Sequence, residues 1–134
     1  AYDNDEVPVG AVIIQRRNSE VLAAFANQMR EIKSSIAHAE MLAIQKAMNV
    51  LQNERLVGCD MYVSLEPCPM CAYAISIARL DRVFFAAEDI KSGGILNGPK
   101  IYESSSCHHK PEVFSGMMRE ESRNLLQSFF KSKR

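Results

Sequence analysis

The stretch from residue 64 to residue 75, SLEPCPMCAYAI, marks the junction of a predicted strand and a predicted helix and contains Cys68 and Cys71. With Pro69 at the first helical position, both cysteines lie in the opening turn, side by side on one face. The positive end of the helix dipole lowers thiol pKa values and favours metal ligation. Taken alone, the pair is compatible with half of a structural zinc finger, a redox pair or part of a catalytic metal site.

A third ligand is available in residues 37–47, AHAEMLAIQKA, where His38 stands at the entry of another predicted helix. One imidazole and two thiolates suit zinc, and three protein ligands leave the fourth position for water, as in catalytic sites. Zinc lowers the pKa of such a water to about 7. Glu40 is then the candidate that takes the water proton and delivers it to the leaving group. We therefore expect one Zn²⁺ per subunit and hydrolytic chemistry.

The rest of the chain predicts an α/β fold with three layers, α/β/α, around a mixed five-stranded sheet. The long segment at 89–100, DIKSGGILNGPK, is predicted to be a loop. A ligand site is expected where strands end and helices begin. The predicted elements are a hairpin over about 9–27, a helix from Ile36 to about Leu51 capped by Ser34 or Ser35, strands at 59–65 and 82–88, a helix from Pro69 to about Ala78, a short strand near Val113 and a helix over about 118–131.

The composition and charge of the chain exclude few functions. Sixteen basic and sixteen acidic side chains cancel, so net charge does not support nucleic-acid binding. The last residues, SFFKSKR, form either a local basic patch or a solvated helix end. No apolar run is long enough to span a bilayer, no signal peptide opens the chain, and nothing suggests export, so we expect reduced cysteines and a cytoplasmic protein without a membrane partner.

Five segments together resemble the bacterial tRNA-specific adenosine deaminases, a branch of the cytidine deaminase superfamily. They are EVPVGAVI, AHAEMLAI, LEPCPMCAYAI, RVFFAAEDIKSGG and FFKSKR, and they extend over almost the whole chain. The pairing of H-x-E with P-C-x-x-C is the signature of zinc nucleobase deaminases. The resemblance implies a cytidine deaminase-like fold, a single CMP/dCMP-type deaminase domain over 1–134, and deamination of a tRNA wobble adenosine to inosine by a homodimer. Because the family usually has a helix before the first strand, that helix is expected to be missing or truncated here.

The resemblance also implies roles for individual residues. His38, Cys68 and Cys71 match the zinc ligands, and Glu40 matches the proton shuttle. The implied substrate contacts are Pro8 and Val9 in the base pocket, Asn27 at the flipped nucleotide, the backbone N–H of Ala39 near the attacked carbon, Asp89 and Lys91 beside the target, and Phe130 and Arg134 at the tRNA anticodon loop.

The residues Cys107, His108 and His109 do not favour a second metal site, since adjacent side chains cannot all face one ion. His109 is predicted to cap a loop or contact a phosphate. The remaining notable residues are expected in the core: Cys59, Phe84, Phe85, Met41, Met48, Met117 and Met118.

Two other functions stay open on sequence grounds. The first is a deaminase of a free base or nucleoside such as guanine or cytosine, because guanine deaminases also carry H-A-E with E-P-C-P-M-C. The second is a zinc-stabilised binding module whose fourth ligand comes from residues 107–109. The DIKSGG loop and the basic aromatic terminus favour the RNA-acting enzyme.

Overall fold

The computed structural model of this chain describes residues 9–116, which build a mixed five-stranded sheet in the order β2-β1-β3-β4-β5. This confirms the predicted sheet. The elements are β1 (Gly10–Gln15), β2 (Glu20–Ala26), α1 (Ala39–Leu51), β3 (Cys59–Leu65), α2 (Pro69–Ile77), β4 (Arg82–Ala87) and β5 (Glu112–Ser115), with short 3-10 turns at Arg16–Asn18 and Ile101–Glu103.

The strand directions gather several chain segments at one edge of the sheet. Strand β1 is antiparallel to both neighbours, and Gly10 at its start pairs with Ala26 at the end of β2. Strands β3 and β4 are parallel and end together, with Leu65 opposite Ala87. The residues that precede β1 and those that follow β2, β3 and β4 therefore meet at the same edge. This is where the sequence places a ligand site.

Both helices pack on one face of the sheet, over a buried apolar cluster. Helix α1 presents Ala39, Ala43 and Ala47 to this cluster, and each is fully buried. Their spacing of four residues keeps them on one side of the helix. Such small side chains let the helix backbone approach the strands closely, which brings the start of α1 near the sheet edge described above.

The opposite face of the sheet carries an aromatic ladder. The rings of Tyr62 and Phe84 stack with centroids 4.5 Å apart, and Phe84 stacks on Phe114 at 4.8 Å. Phe84 and Phe85 are both buried, on alternate faces of β4, as the sequence predicts. The predicted helix over 118–131, which would supply a third layer, lies outside the described residues together with Met117 and Met118, so that layer stays a prediction.

The predicted start of the first helix is wrong. Helix α1 begins at Ala39, and Ile36 lies outside it with 59% of its surface exposed. Ser34 and Ser35 are therefore too early in the chain to cap it. The predicted helix began too early because the spacing of apolar residues does not show where the chain turns before a helix. At the other end Val50 is 45% exposed, so it does not belong to the buried stripe either.

The other elements predicted within residues 9–116 agree with the structure to within a residue or two, including the hairpin and the strand near Val113. Cys59 is fully buried, as expected for a core cysteine. Within residues 9–116, no helix is long and apolar enough to cross a bilayer. The single domain over 1–134 and the truncated N-terminal helix remain predictions.

Candidate active site

One imidazole and two thiols converge at the edge of the sheet. The Nδ1 atom of His38 lies 3.7 Å from the Sγ of Cys68 and 3.5 Å from the Sγ of Cys71. All three atoms lie within 4.8 Å of one another, and no other cluster of His, Cys, Asp or Glu within residues 9–116 offers three such ligands. Tetrahedral zinc takes this set of donors, so the residues present fit the metal.

The cysteine half of the site is built by the start of α2. Cys68 is the N-cap, in extended conformation, and Pro69 occupies the first turn. This confirms the predicted role of Pro69 in starting the helix. The Cys68 carbonyl accepts the first helical bond from Ala72 N–H at 2.8 Å. The side chains of Cys68 and Cys71 consequently leave the helix on the same side.

The two thiols of the pair differ in acidity. The pKa of Cys68 is lowered to about 5, chiefly because its sulfur accepts a hydrogen bond from the Cys71 thiol. Hydrogen bonds from the backbone N–H groups of Cys71 and Met70 lower it further. The pKa of Cys71 is raised because its proton is held by Cys68, because it is buried and because Glu40 lies close to it. The lowered pKa of Cys68 favours its thiolate form, which is the form of cysteine that binds a metal.

Glu40 stands beside this group in the first turn of α1. The residue is only 4% exposed, and its carboxyl group is within hydrogen-bonding reach of the Cys71 thiol. Burial raises its pKa above the ordinary value for a glutamate. A carboxyl group whose pKa moves toward neutrality can both accept and return a proton, which is the task that the sequence predicts for it.

The link between β2 and α1 was not apparent from the sequence. The side-chain Oδ1 of Asn27, at the end of β2, accepts a hydrogen bond from the backbone N–H of Ala39 at 2.7 Å. The Asn27 N–H donates to the carbonyl of Val9 at 3.1 Å. Asn27 is 5% exposed and acts as the cap of α1, which His38 does not provide through its side chain. Val9, Asn27 and Ala39 are therefore brought together, and their substrate contacts stay predictions.

The loop with Asp89 and Lys91 lies against the cysteine turn. Gly94 N–H donates to the carbonyl of Pro67 at 2.8 Å, which brings the loop next to Cys68. Lys91 is exposed and Asp89 is half-buried. Asp89 uses one carboxylate oxygen to accept the N–H of Ser92 at 2.9 Å. Their contacts with substrate stay predictions.

Glu66 is a site residue that sequence reasoning missed. It is 3% exposed, and its carboxylate accepts bonds from the side chain of Asn97 and from backbone N–H groups of the 89–97 loop. Burial alone raises the pKa of a carboxyl group, but these bonds outweigh it and hold the pKa of Glu66 below its usual value. The available signal was a carboxylate placed between a buried strand and a proline, followed later by Gly93-Gly94.

His109 lies at the opposite end of β4 from the cysteines. Its Nε2 is 2.6 Å from the carbonyl oxygen of Leu80, two residues before β4 begins. The His109 carbonyl accepts bonds from Ser76 Oγ and Cys107 Sγ. These contacts tie the loop to Leu80 and Ser76, and both predicted roles of His109, capping the loop or contacting a phosphate, stay predictions. None of residues 107–109 belongs to the metal-binding group found within the described residues, so the closed zinc site gains no support.

Three of the sequence-predicted substrate residues cannot be placed. Pro8, Phe130 and Arg134 lie outside the described residues.

Comparison with known proteins agrees with this site. The family model for the cytidine and deoxycytidylate deaminase zinc-binding region matches residues 1–87. The tRNA-specific adenosine deaminase of Agrobacterium fabrum is 44% identical over 134 residues, covering 100% of this chain and 87% of that protein. A solved structure of a tRNA:A34 deaminase, studied for A-to-I editing at the wobble position, has a TM-score of 0.85 and 44% identity, covering 94% of this chain and 90% of its own.

A guanine deaminase from Bacillus subtilis is also similar, over a shorter part. It is 44% identical across 60% of this chain and 50% of its own, with a TM-score of 0.57. The full-length matches are the stronger ones. These matches extend over almost the whole chain, and the site contains the His-x-Glu and Pro-Cys-x-x-Cys residues. The chain therefore belongs to the family of tRNA-specific adenosine deaminases, within the zinc-binding cytidine and deoxycytidylate deaminases.

Proposed function

We propose that the protein deaminates the wobble adenosine of a tRNA anticodon to inosine, with one Zn²⁺ per subunit held by His38, Cys68 and Cys71. The observation that carries this proposal is the convergence of these three donors with the Glu40 carboxyl group beside Cys71. A zinc ion in such a site lowers the pKa of a water to about 7 and so supplies the nucleophile.

The remaining chemistry belongs to the side chains. Glu40 takes a proton from the attacking water and passes it to the ring nitrogen next to the attacked carbon. A second proton transfer through Glu40 lets the exocyclic nitrogen leave as ammonia while the carbonyl of inosine forms. Adenosine and water are consumed, and inosine and ammonia are produced. The burial of Glu40 raises its pKa above the ordinary value for a glutamate, which favours a group that both accepts and returns a proton.

The target base must reach this edge from an RNA loop. Single-stranded anticodon bases can be extruded and read on their edges, which a duplex does not allow. We infer that Val9, Asn27 and Asp89, which the strand register groups at this edge, contact such a base, and that the exposed Lys91 meets its phosphates. Phosphate contacts of this kind make affinity depend on salt.

We also propose that the protein acts as a homodimer in the cytoplasm. Helix α2 presents an exposed apolar stripe in which Tyr73 is 41% and Ile77 63% exposed, four residues apart on one side of the helix. Such a stripe supports association through α2. The four free cysteines and the proposed RNA substrate support a location in the cytoplasm. Sedimentation of the protein with Ile77→Glu against the wild type tests the dimer, which this variant should dissociate.

The competing function is deamination of a free base, supported by the partial likeness to guanine deaminase. A direct assay separates the two. The protein is incubated with an anticodon stem-loop carrying adenosine at the wobble position, with the same stem-loop carrying guanosine there, and with free guanine and cytosine. Inosine in the first RNA alone supports our proposal, and ammonia released only from free bases overturns it. A chelator should abolish the activity.

A further inference from the structure

Glu66 holds a position that the reaction does not use. It follows β3 directly and precedes Cys68 by two residues, and its own N–H donates to the carbonyl of Ala87 at the end of β4 at 2.8 Å. A glutamate that is 97% removed from solvent is costly unless its charge is fully bonded. The partners of this carboxylate therefore indicate why it is there.

Among residues 9–116, the hydrogen-bond partners of the two Glu66 carboxylate oxygens all come from a single loop. Oε2 accepts three consecutive backbone N–H groups, from Ile95 at 3.0 Å, Leu96 at 2.8 Å and Asn97 at 3.2 Å. Oε1 accepts the N–H of Asp89 at 3.1 Å and the side-chain amide of Asn97 at 2.7 Å. One carboxylate thus joins both ends of the 89–97 loop. Bonds to a charged acceptor are stronger than neutral ones.

The glycines of the loop show how closely it is seated. A Cβ added to Gly93 would lie 2.5 Å from the Glu66 carboxylate, and one added to Gly94 would lie 2.5 Å from Pro69 N and 2.8 Å from the carbonyl carbon of Cys68. Real Cβ atoms essentially never approach this closely. The loop backbone therefore rests on both the carboxylate and the turn that carries a metal ligand.

We infer that Glu66 is a positioning residue that clamps the 89–97 loop onto the Cys68 turn, so that the loop segment from Asp89 to Lys91 is held in register with the metal site. The clamp orients the nucleotides beside the target base, and this consequence rests on the proposed function. The clamp acts on substrate binding through the loop, while Glu40 carries the proton transfer.

The test compares Glu66→Gln with Glu103→Gln, which neutralises an exposed glutamate outside the site. The glutamine keeps the size of the side chain but directs an N–H₂ group at N–H donors. We expect amide hydrogen exchange at 95–97 to quicken about tenfold or more. With the anticodon stem-loop, KM should rise about tenfold while kcat stays within about threefold. Zinc content should stay at one per chain, and Glu103→Gln should match the wild type.

Two further variants keep the inference open to refutation. Gly94→Ala displaces the loop without altering the carboxylate and should raise KM in the same way. Asn97→Ala removes one of the five hydrogen bonds to the Glu66 carboxylate, together with the Asn97 bond to Glu88, and should quicken exchange by a smaller factor; if Glu66→Gln does not fold, this variant decides. Unchanged exchange at 95–97 overturns the inference, and so does loss of zinc with a fall in kcat at constant KM. If the wild type leaves the stem-loop unmodified, the proposed function fails, but the exchange data still decide whether Glu66 holds the loop.

Discussion

The side chain of Asn27 accepts a hydrogen bond of 2.7 Å from the backbone N–H of Ala39. Ala39 stands between His38, the proposed metal ligand, and Glu40, the proposed proton carrier, and it is the first residue of α1. The end of β2 therefore sets where α1 starts and, with it, the direction in which both functional side chains leave the backbone. A residue matched to substrate contact is also a structural cap.

Removing this cap should destabilise the protein. Asn27→Ala leaves the buried Ala39 N–H without a partner, and we expect a loss of about 1–2 kcal/mol in the free energy of unfolding. Asn27→Asp keeps an acceptor oxygen and should recover part of the loss. Urea denaturation at neutral pH measures both variants. Equal stability of Asn27→Ala and the wild type would contradict the capping role.

Replacing a cysteine inside the metal site should affect zinc binding, and replacing one in the core should not. Cys68→Ala removes a donor from the group of three, so the purified protein should contain almost no zinc after dialysis. Cys59→Ala removes another free cysteine, which lies buried in the core outside the group of three, and it should keep one zinc per chain. Elemental analysis of both proteins provides the measurement. Normal zinc content in Cys68→Ala would exclude this ligand assignment.

Glu40 should affect the chemical step and leave the metal in place. We expect Glu40→Gln to lower kcat by about 10²–10⁴-fold, the range for a lost general acid–base group. Its zinc content should be unchanged, because the carboxylate is beside the ligands and is not one of them. Glu54→Gln, in an exposed loop after α1, serves as the control. Single-turnover inosine formation measures the effect, and loss of zinc from Glu40→Gln would refute the assignment.

Asp60 should affect stability without affecting catalysis. Its buried carboxylate bonds Arg16 at 2.7 Å and Arg82 at 2.6 Å, at the edge of the sheet away from the metal site. Asp60→Asn should cost about 2 kcal/mol, less than a fully buried pair because the arginines are partly exposed. Well below the melting temperature, kcat and zinc content should match the wild type. Loss of zinc binding in this variant would show that the two edges are coupled.

Much of the fold follows from local chemistry that the sequence displays. Proline is favoured at the first position of a helix, so Pro69 predicts a helix start, and the i, i+3 spacing then places Cys68 and Cys71 together. Alternating apolar residues and turn residues locate the strands because period two is a property of the extended backbone. The mixed sheet and the pairing of a histidine with two cysteines could therefore be predicted before any coordinates.

Contacts between residues distant in the chain required the tertiary structure. The start of α1 was misplaced by three residues because its cap, Asn27, lies 12 positions away and depends on where β2 ends. Glu66 looks like one more polar residue until the folded chain brings five donors from 23 to 31 residues away around it. The order of amino acids is enough to identify the atoms that can bind a metal and move a proton. Which distant side chains hold those atoms in place is visible only in the folded chain, because such hydrogen bonds form once the strands are paired.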